Sequence, residues 1–156
     1  NENENIYFMI VGSDDLKPIF EDELKNCNNV TFLPRIGQNE VKYFLQKCDI
    51  LYLSTKDSKV WEYGQSMNKV VEYMVAGKPI IASYTGYPSM INEANCGVFV
   101  NSSNPMDLKE TILNIANKNV QDIKQLGEKG KKWIYENRQY SRLANEYINK
   151  IEEFRR

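Results

Sequence analysis

The sequence of 156 residues contains no histidine. That absence removes the commonest general base, the commonest zinc ligand and every Ser/His or Cys/His nucleophilic pair. Any chemistry must therefore run through carboxylates, Lys, Arg, Tyr and backbone groups. Cysteine is scarce: Cys27, Cys48 and Cys96 are odd in number and lack the paired short spacing of zinc sites or redox motifs. They read as core or boundary residues, free Cys being among the most buried types. Long hydrophobic runs are missing as well. No stretch approaches the roughly 18 to 20 apolar residues that span a bilayer, and residues 1–5 are polar and acidic rather than a basic signal region, so a cytoplasmic protein is expected. Nor is there an excess of charge of one sign. Twenty Lys+Arg against twenty-one Asp+Glu leave a net charge of −1, and no global basic field recommends nucleic acid as a partner.

What is present suits a folded chain. It is 42% hydrophobic and 26% charged, and its ten tyrosines and six phenylalanines argue against disorder. Against a prior of roughly 100 to 200 residues per domain, this length predicts a single domain with a sizeable core.

Residues 6–11, Ile-Tyr-Phe-Met-Ile-Val closed by Gly12, form a continuous apolar run, the pattern of a strand buried on both faces of a parallel sheet. Residues 12–15 then form the loop at its carboxyl end, and a helix is expected from about 17 to 27, with Pro18 tolerated in its first turn. Residues 30–33 read as a second strand ended by Pro34. A helix over 39–47 carries Val41, Phe44 and Leu45 on one face, and 49–54 is the third strand. After a polar, irregular stretch at 55–65, a helix over 66–76 is stopped by Gly77 and followed by Pro79. Residues 79–84 give a fourth strand, 88–94 a short helix and 97–100 a fifth strand. From Pro105 onward helices are expected over about 105–117, 120–136 and 140–154. This alternation predicts an α/β fold, a doubly wound parallel sheet of about five strands with a helical C-terminal tail. Ligands of such sheets sit beyond the carboxyl ends of the strands, which places 12–15, 34–37, 54–65 and 84–89 on the working edge.

The most informative stretch runs Glu62-Tyr63-Gly64-Gln65-Ser66-Met67-Asn68-Lys69-Val70-Val71-Glu72-Tyr73-Met74-Val75-Ala76-Gly77-Lys78-Pro79. Ser66 suits the cap of the helix, whose free first-turn amides make a positive end fit for phosphate. Gly64 permits close backbone approach. Lys69 adds a full cationic charge beside the amides, so the site could hold a diphosphate without a metal. Glu72 lies three residues beyond Lys69 and four beyond Asn68 on the same face, placed to accept bonds from two neighbouring hydroxyls such as those of a ribose. The same spacing also suits an ordinary capped helix with a Lys69–Glu72 surface pair and a core face of Val70, Val71, Met74 and Val75.

Taken in order, residues 29–35 (Asn-Val-Thr-Phe-Leu-Pro-Arg), 48–54 (Cys-Asp-Ile-Leu-Tyr-Leu-Ser), 69–79, Thr85-Gly86 and 96–100 (Cys-Gly-Val-Phe-Val) resemble the C-terminal, nucleotide-sugar-binding domain of retaining GT-B glycosyltransferases of group 1. The stretch from Ser66 through Asn68, Lys69, Glu72, Tyr73 and Met74 to Gly77-Lys78-Pro79 is similar to a family subset that reads S-P-N-K-x-x-E-Y-M-A-A-G-K-P. The resemblance covers roughly residues 6–117, a Rossmann-like donor-binding core, and leaves 118–156 as the helical tail. It implies a hexosyltransferase-type enzyme of polysaccharide biosynthesis, taking a nucleotide-diphosphate sugar such as a UDP-sugar and passing the sugar to a glycan or lipid-linked acceptor. The site residues it implies are Gly12, Arg35, Gly64, Ser66, Asn68, Lys69 and Glu72, with Asn68, Lys69 and the amides after Gly64 toward the diphosphate, Glu72 toward the ribose and Arg35 or its neighbours toward the base. It assigns no catalytic residue, no metal and no cofactor. Many family members carry two glutamates seven residues apart. The second matches Glu72 and the first would fall at Gly64, so Glu62, Asp57 or backbone groups are the candidates for its place.

The resemblance also sets an expectation for the sheet. In the family domain the strand order is 3-2-1-4-5-6, and this chain starts after the central first strand and after the acceptor-binding N-terminal domain. Direct pairing of residues 6–11 with 49–54 in one five-stranded sheet is therefore expected, the alternative being a gap filled by another chain. Among other features, Asp14-Asp15 reads as a helix-start loop rather than a metal site, and Trp61 with Tyr63 as either a sugar platform or loop packing. Lys129, Lys131, Lys132, Arg138 and Arg142 form a solvated basic face that would also suit the inner surface of a membrane. A phosphorelay receiver domain is rejected because Ser54 and Asn101 stand where it needs Asp and Lys. A noncatalytic nucleotide-binding or protein-interaction module is the competing functional class.

Overall fold

Strand and helix alternate along the computed structural model of the chain as the apolar runs predict, and the structure describes residues 5–56, 58–63, 67–84 and 89–155. By its internal contacts the chain divides into two units, Asn1–Tyr43 and Phe44–Arg156.

In the first unit β1 (Phe8–Val11) and β2 (Val30–Leu33) pair in parallel, with Phe8 opposite Val30 and Val11 opposite Leu33. Helix α1 (Lys17–Glu23) links them, with Pro18 in its first turn. It stops four residues short of the expected end, at Leu24, whose φ of −103° and ψ of 9° leave helical geometry. Helix α2 (Gln38–Lys47) leads from the first unit into the second.

The second unit holds β3 (Leu51–Ser54), β4 (Ile80–Ser83) and β5 (Gly97–Val100), all parallel in the order β3-β4-β5. β4 is central and wholly buried. Its side chains alternate between two cores, as strand geometry requires. Ile80 and Ala82 join Leu53, Val70, Met74, Ile91, Cys96 and Ile134 on one face. Ile81 joins Val100 and Ile115 on the other, covered by Leu108 and Ile112. The first face is closed by α3 (Asn68–Val75), α4 (Met90–Ala94) and α6 (Val120–Asn137), the second chiefly by α5 (Pro105–Ala116). Covering both faces of a parallel sheet with crossover helices is the doubly wound arrangement. The last helix, α7 (Tyr140–Phe154), has no buried residue.

The strands form two parallel ladders, β1-β2 in the first unit and β3-β4-β5 in the second. β1 is not buried on both faces as its apolar run predicts: Phe8, Met9 and Ile10 are 41%, 48% and 44% exposed. The helix expected over 66–76 begins at Asn68, after extended backbone at Met67 (φ −95°, ψ 122°).

α6 packs closely within the second unit through two glycines. A Cβ on Gly127 would collide with the carbonyl of Gly77, itself at φ +70°, and would lie 2.8 Å from the Lys78 Cα. A Cβ on Gly130 would stand 2.9 Å from the Cys96 sulfur. Gly127→Ala should therefore destabilise the chain by about 1–3 kcal/mol, the usual scale of overpacking, because the obstacle is backbone rather than a movable side chain; urea unfolding measures it. Cys96 itself is fully buried, and burial pushes its thiol up to about 11. Iodoacetamide at pH 8 should accordingly label the half-buried Cys27 well before Cys96.

Candidate functional site

At the carboxyl edge of the three-stranded sheet the strand exits are tied together by hydroxyls and amides. The Thr55 N–H and hydroxyl both donate to the Ser83 carbonyl, at 3.0 and 3.3 Å. The Ser83 hydroxyl donates to the Asn101 carbonyl at 3.4 Å. Beyond β3 a 3-10 turn, Lys59–Tyr63, brings Trp61 edge-on to Tyr84, with ring centroids 5.8 Å apart. The Trp61 indole N–H donates to the Lys56 carbonyl at 2.9 Å, and the Tyr84 hydroxyl to the Trp61 carbonyl at 3.3 Å. Trp61 is thus engaged in packing the loop, while Tyr63 is 91% exposed.

The loop leads to α3. Val70 and Met74 are fully buried in the core, which fixes the rotation of the helix and turns Asn68 and Lys69 outward. These are its first two residues, where backbone N–H groups have no intrahelical acceptor. Those amides and the Lys69 ammonium place positive charge at one point. Glu72 follows one turn on, half-buried. Next to it the Tyr73 hydroxyl donates to the Tyr52 carbonyl at 3.4 Å. Burial, then the charges of Cys48 and Glu72, push the Tyr73 phenol up, so it stays a neutral donor. The structure therefore brings Asn68, Lys69 and Glu72 together on one short helix. Gly64, Ser66, Asp57, Thr85 and Gly86 lie outside the described residues; Glu62 is exposed on the 3-10 turn.

Gly12 and Arg35 belong to the first unit, on the loops leaving β1 and β2. Gly12 has φ +144°, a conformation that side chains disfavour. Its N–H donates to the Leu33 carbonyl at 3.3 Å, and its own carbonyl accepts from the Lys17 ammonium at 3.1 Å. Lys17 also donates to the Leu33 carbonyl, at 2.8 Å. The sequence offers no sign of this contact, since Leu33 lies sixteen residues away. Asp14 serves the helix start: its carboxylate accepts the Leu16 N–H at 3.0 Å and its carbonyl the Lys17 N–H at 3.1 Å. Arg35 is exposed two residues beyond β2.

The basic stretch is partly occupied by its own helices. Lys132 pairs with Glu136 at 3.7 Å, Arg142 with Glu146 at 2.8 Å, and Arg138 lies over the Trp133 ring at 5.5 Å. No helix among the described residues is long and apolar enough to cross a membrane. A shallow cleft of about 260 Å³ at the end of β5 is lined by Asn101, Asp107, Glu110 and Asn114 among others. Its two carboxylates are the wrong charge for a diphosphate.

A doubly wound parallel unit with Lys69 at a helix start defines the class as an α/β protein of the kind whose ligands sit beyond the carboxyl ends of the strands. Comparison with known proteins narrows it. The family model described as glycosyl transferases group 1 matches residues 1–118, and the chain belongs to that family. A curated relative, the uncharacterized glycosyltransferase MJ1178 of Methanocaldococcus jannaschii, is 31% identical over 129 residues, which are 81% of this chain and 35% of the relative. The chain thus spans about a third of that relative's length. Among solved structures, Anabaena Alr3699/HepE in complex with UDP-glucose matches with a TM-score of 0.72 at 13% identity, over 97% of this chain and 42% of that one. WaaG, a glycosyltransferase involved in lipopolysaccharide biosynthesis, matches with a TM-score of 0.65 at 22% identity, over 88% and 36%. Sucrose-phosphate synthase of Thermosynechococcus elongatus gives 0.69 at 17%, over 94% and 38%. These likenesses show the GT-B glycosyltransferase fold.

The Trp61–Tyr84 contact should hold the loop before α3. Tyr84→Phe removes the hydroxyl that bonds to Trp61 while keeping the ring, and thermal unfolding should show a loss of about 1 kcal/mol, the net worth of one neutral hydrogen bond.

Proposed function

We propose that this chain is the donor-binding part of a glycosyltransferase that moves a sugar, with retention, from a nucleotide-diphosphate sugar to a glycan or lipid-linked acceptor. The observation that carries it is the start of α3, where Asn68, the exposed Lys69 and the first-turn amides stand one turn before Glu72, in a chain of the group 1 family. In this reading those donors hold the diphosphate, assisted by Gly64 and Ser66, and no metal or other cofactor is required. Glu72 accepts from the ribose hydroxyls, Gly12 admits the nucleotide backbone closely, and Arg35 meets the base. UDP-glucose and UDP in the HepE structures support a uridine nucleotide.

Stabilising the departing diphosphate while the acceptor attacks the same face of the sugar needs no histidine base from this chain. The chain spans about a third of its curated relative's length, and in this reading its part is to bind the donor. Its place of work is the cytoplasm, with the exposed Lys129 directed at the inner face of a membrane.

Calorimetric titration with UDP and with GDP tests this. One of the two should bind, and Glu72→Ala should weaken it by about 1–3 kcal/mol, the scale for hydrogen bonds to a charged group. Unchanged affinity would remove Glu72 from the site; failure of both nucleotides to bind would sink the donor-site assignment.

A further inference from the structure

In the first unit, the two loops that carry candidate site residues are held by one side chain. The Lys17 ammonium donates to the Gly12 carbonyl at 3.1 Å and to the Leu33 carbonyl at 2.8 Å. Gly12 opens the loop after β1, and Leu33 is the last residue of β2, two before Arg35. Lys17 is also the first residue of α1, so a single cation joins two strand exits and a helix start. Its side chain is 22% exposed, and its nearest carboxylate, Glu21, stands off at 3.8 Å. The ammonium is therefore spent on backbone carbonyls rather than on an ion pair. Bonds from a charged donor are roughly twice as strong as neutral ones. They act here where the β1–β2 ladder ends at Val11 and Leu33, beyond which only the 3.3 Å bond from Gly12 N–H to Leu33 continues it.

We infer that Lys17 is a positioning residue for nucleotide binding, setting the separation of the Gly12 and Arg35 loops before any ligand arrives. The inference rests on the proposal that those two residues face the nucleotide. Preorganised loops bind more tightly because less ordering remains to be done on binding.

Two measurements on the full chain separate the inference from that proposal. In Lys17→Met without ligand, amide hydrogen exchange should quicken at Gly12, Leu16 and Lys17, whose N–H groups bond to Leu33 and Asp14, while β4 keeps its protection; unchanged exchange at all three overturns the inference. Calorimetry with UDP and GDP, below the onset of melting, should show an affinity about tenfold weaker, the scale of one charge-assisted hydrogen bond, with most of it recovered in Lys17→Arg, which keeps a cationic donor. A purely structural role would lower the melting temperature and leave the affinity of folded protein unchanged, and that result also overturns it. Faster exchange in a wild type and variant series that binds neither nucleotide would sink the nucleotide proposal and leave the positioning of the loops standing. Should Lys17→Met not fold, Lys17→Gln, which keeps one neutral donor, should show intermediate exchange and affinity, and wild-type behaviour in it overturns the inference.

Discussion

Burying β4 on both faces is the constraint on which the second unit depends. Ile80 and Ala82 must meet one helical layer and Ile81 another, and at roughly 25 cal/mol per Å² of apolar surface this burial outweighs any single polar contact at the edge. The demand fixes α3, because Val70 and Met74 have to reach the Ile80 side of the sheet. Lys69 and Glu72 are turned away from that core as a consequence. Their orientation is thus a result of packing, before any question of what they bind. α6 follows from the same demand. Its glycines let it lie against Gly77 and Cys96, and Ile134 then completes the core from a position far along the chain.

The first unit is held by other means. A pair of four-residue strands with half-exposed side chains offers little apolar burial, so hydrogen bonds carry more of its order. The Asn29 side chain donates to the Ile6 carbonyl at 3.0 Å at one end of the ladder, and Lys17 joins the exits at the other. The Lys17 cation places positive charge beyond the carboxyl ends of β1 and β2, where carbonyl groups would otherwise leave a negative edge.

Family membership and local geometry bear on function at different levels. The match over residues 1–118 makes the chain a group 1 glycosyl transferase domain. The start of α3 adds local positive charge, since first-turn amides and an ammonium stand together there. The acidic cleft near β5 carries the opposite charge and marks a separate surface.

The sequence alone determined the elements. Apolar runs bounded by Gly12, Pro34, Gly77 and Pro79 place all five strands to within two residues, because short buried strands require continuous hydrophobicity and their ends require turn residues. It also determined that Asn68, Lys69 and Glu72 share a helix face, since that depends only on a period of 3.6 residues. What it could not determine is anything that depends on which strand lies beside which. The split into β1-β2 and β3-β4-β5, the exposure of Phe8, Met9 and Ile10, and the bond from Lys17 to Leu33 all rest on pairing between separated segments. Composition and period are silent there, because the backbone groups that pair are the same at every residue. Only the tertiary structure decides which of them meet.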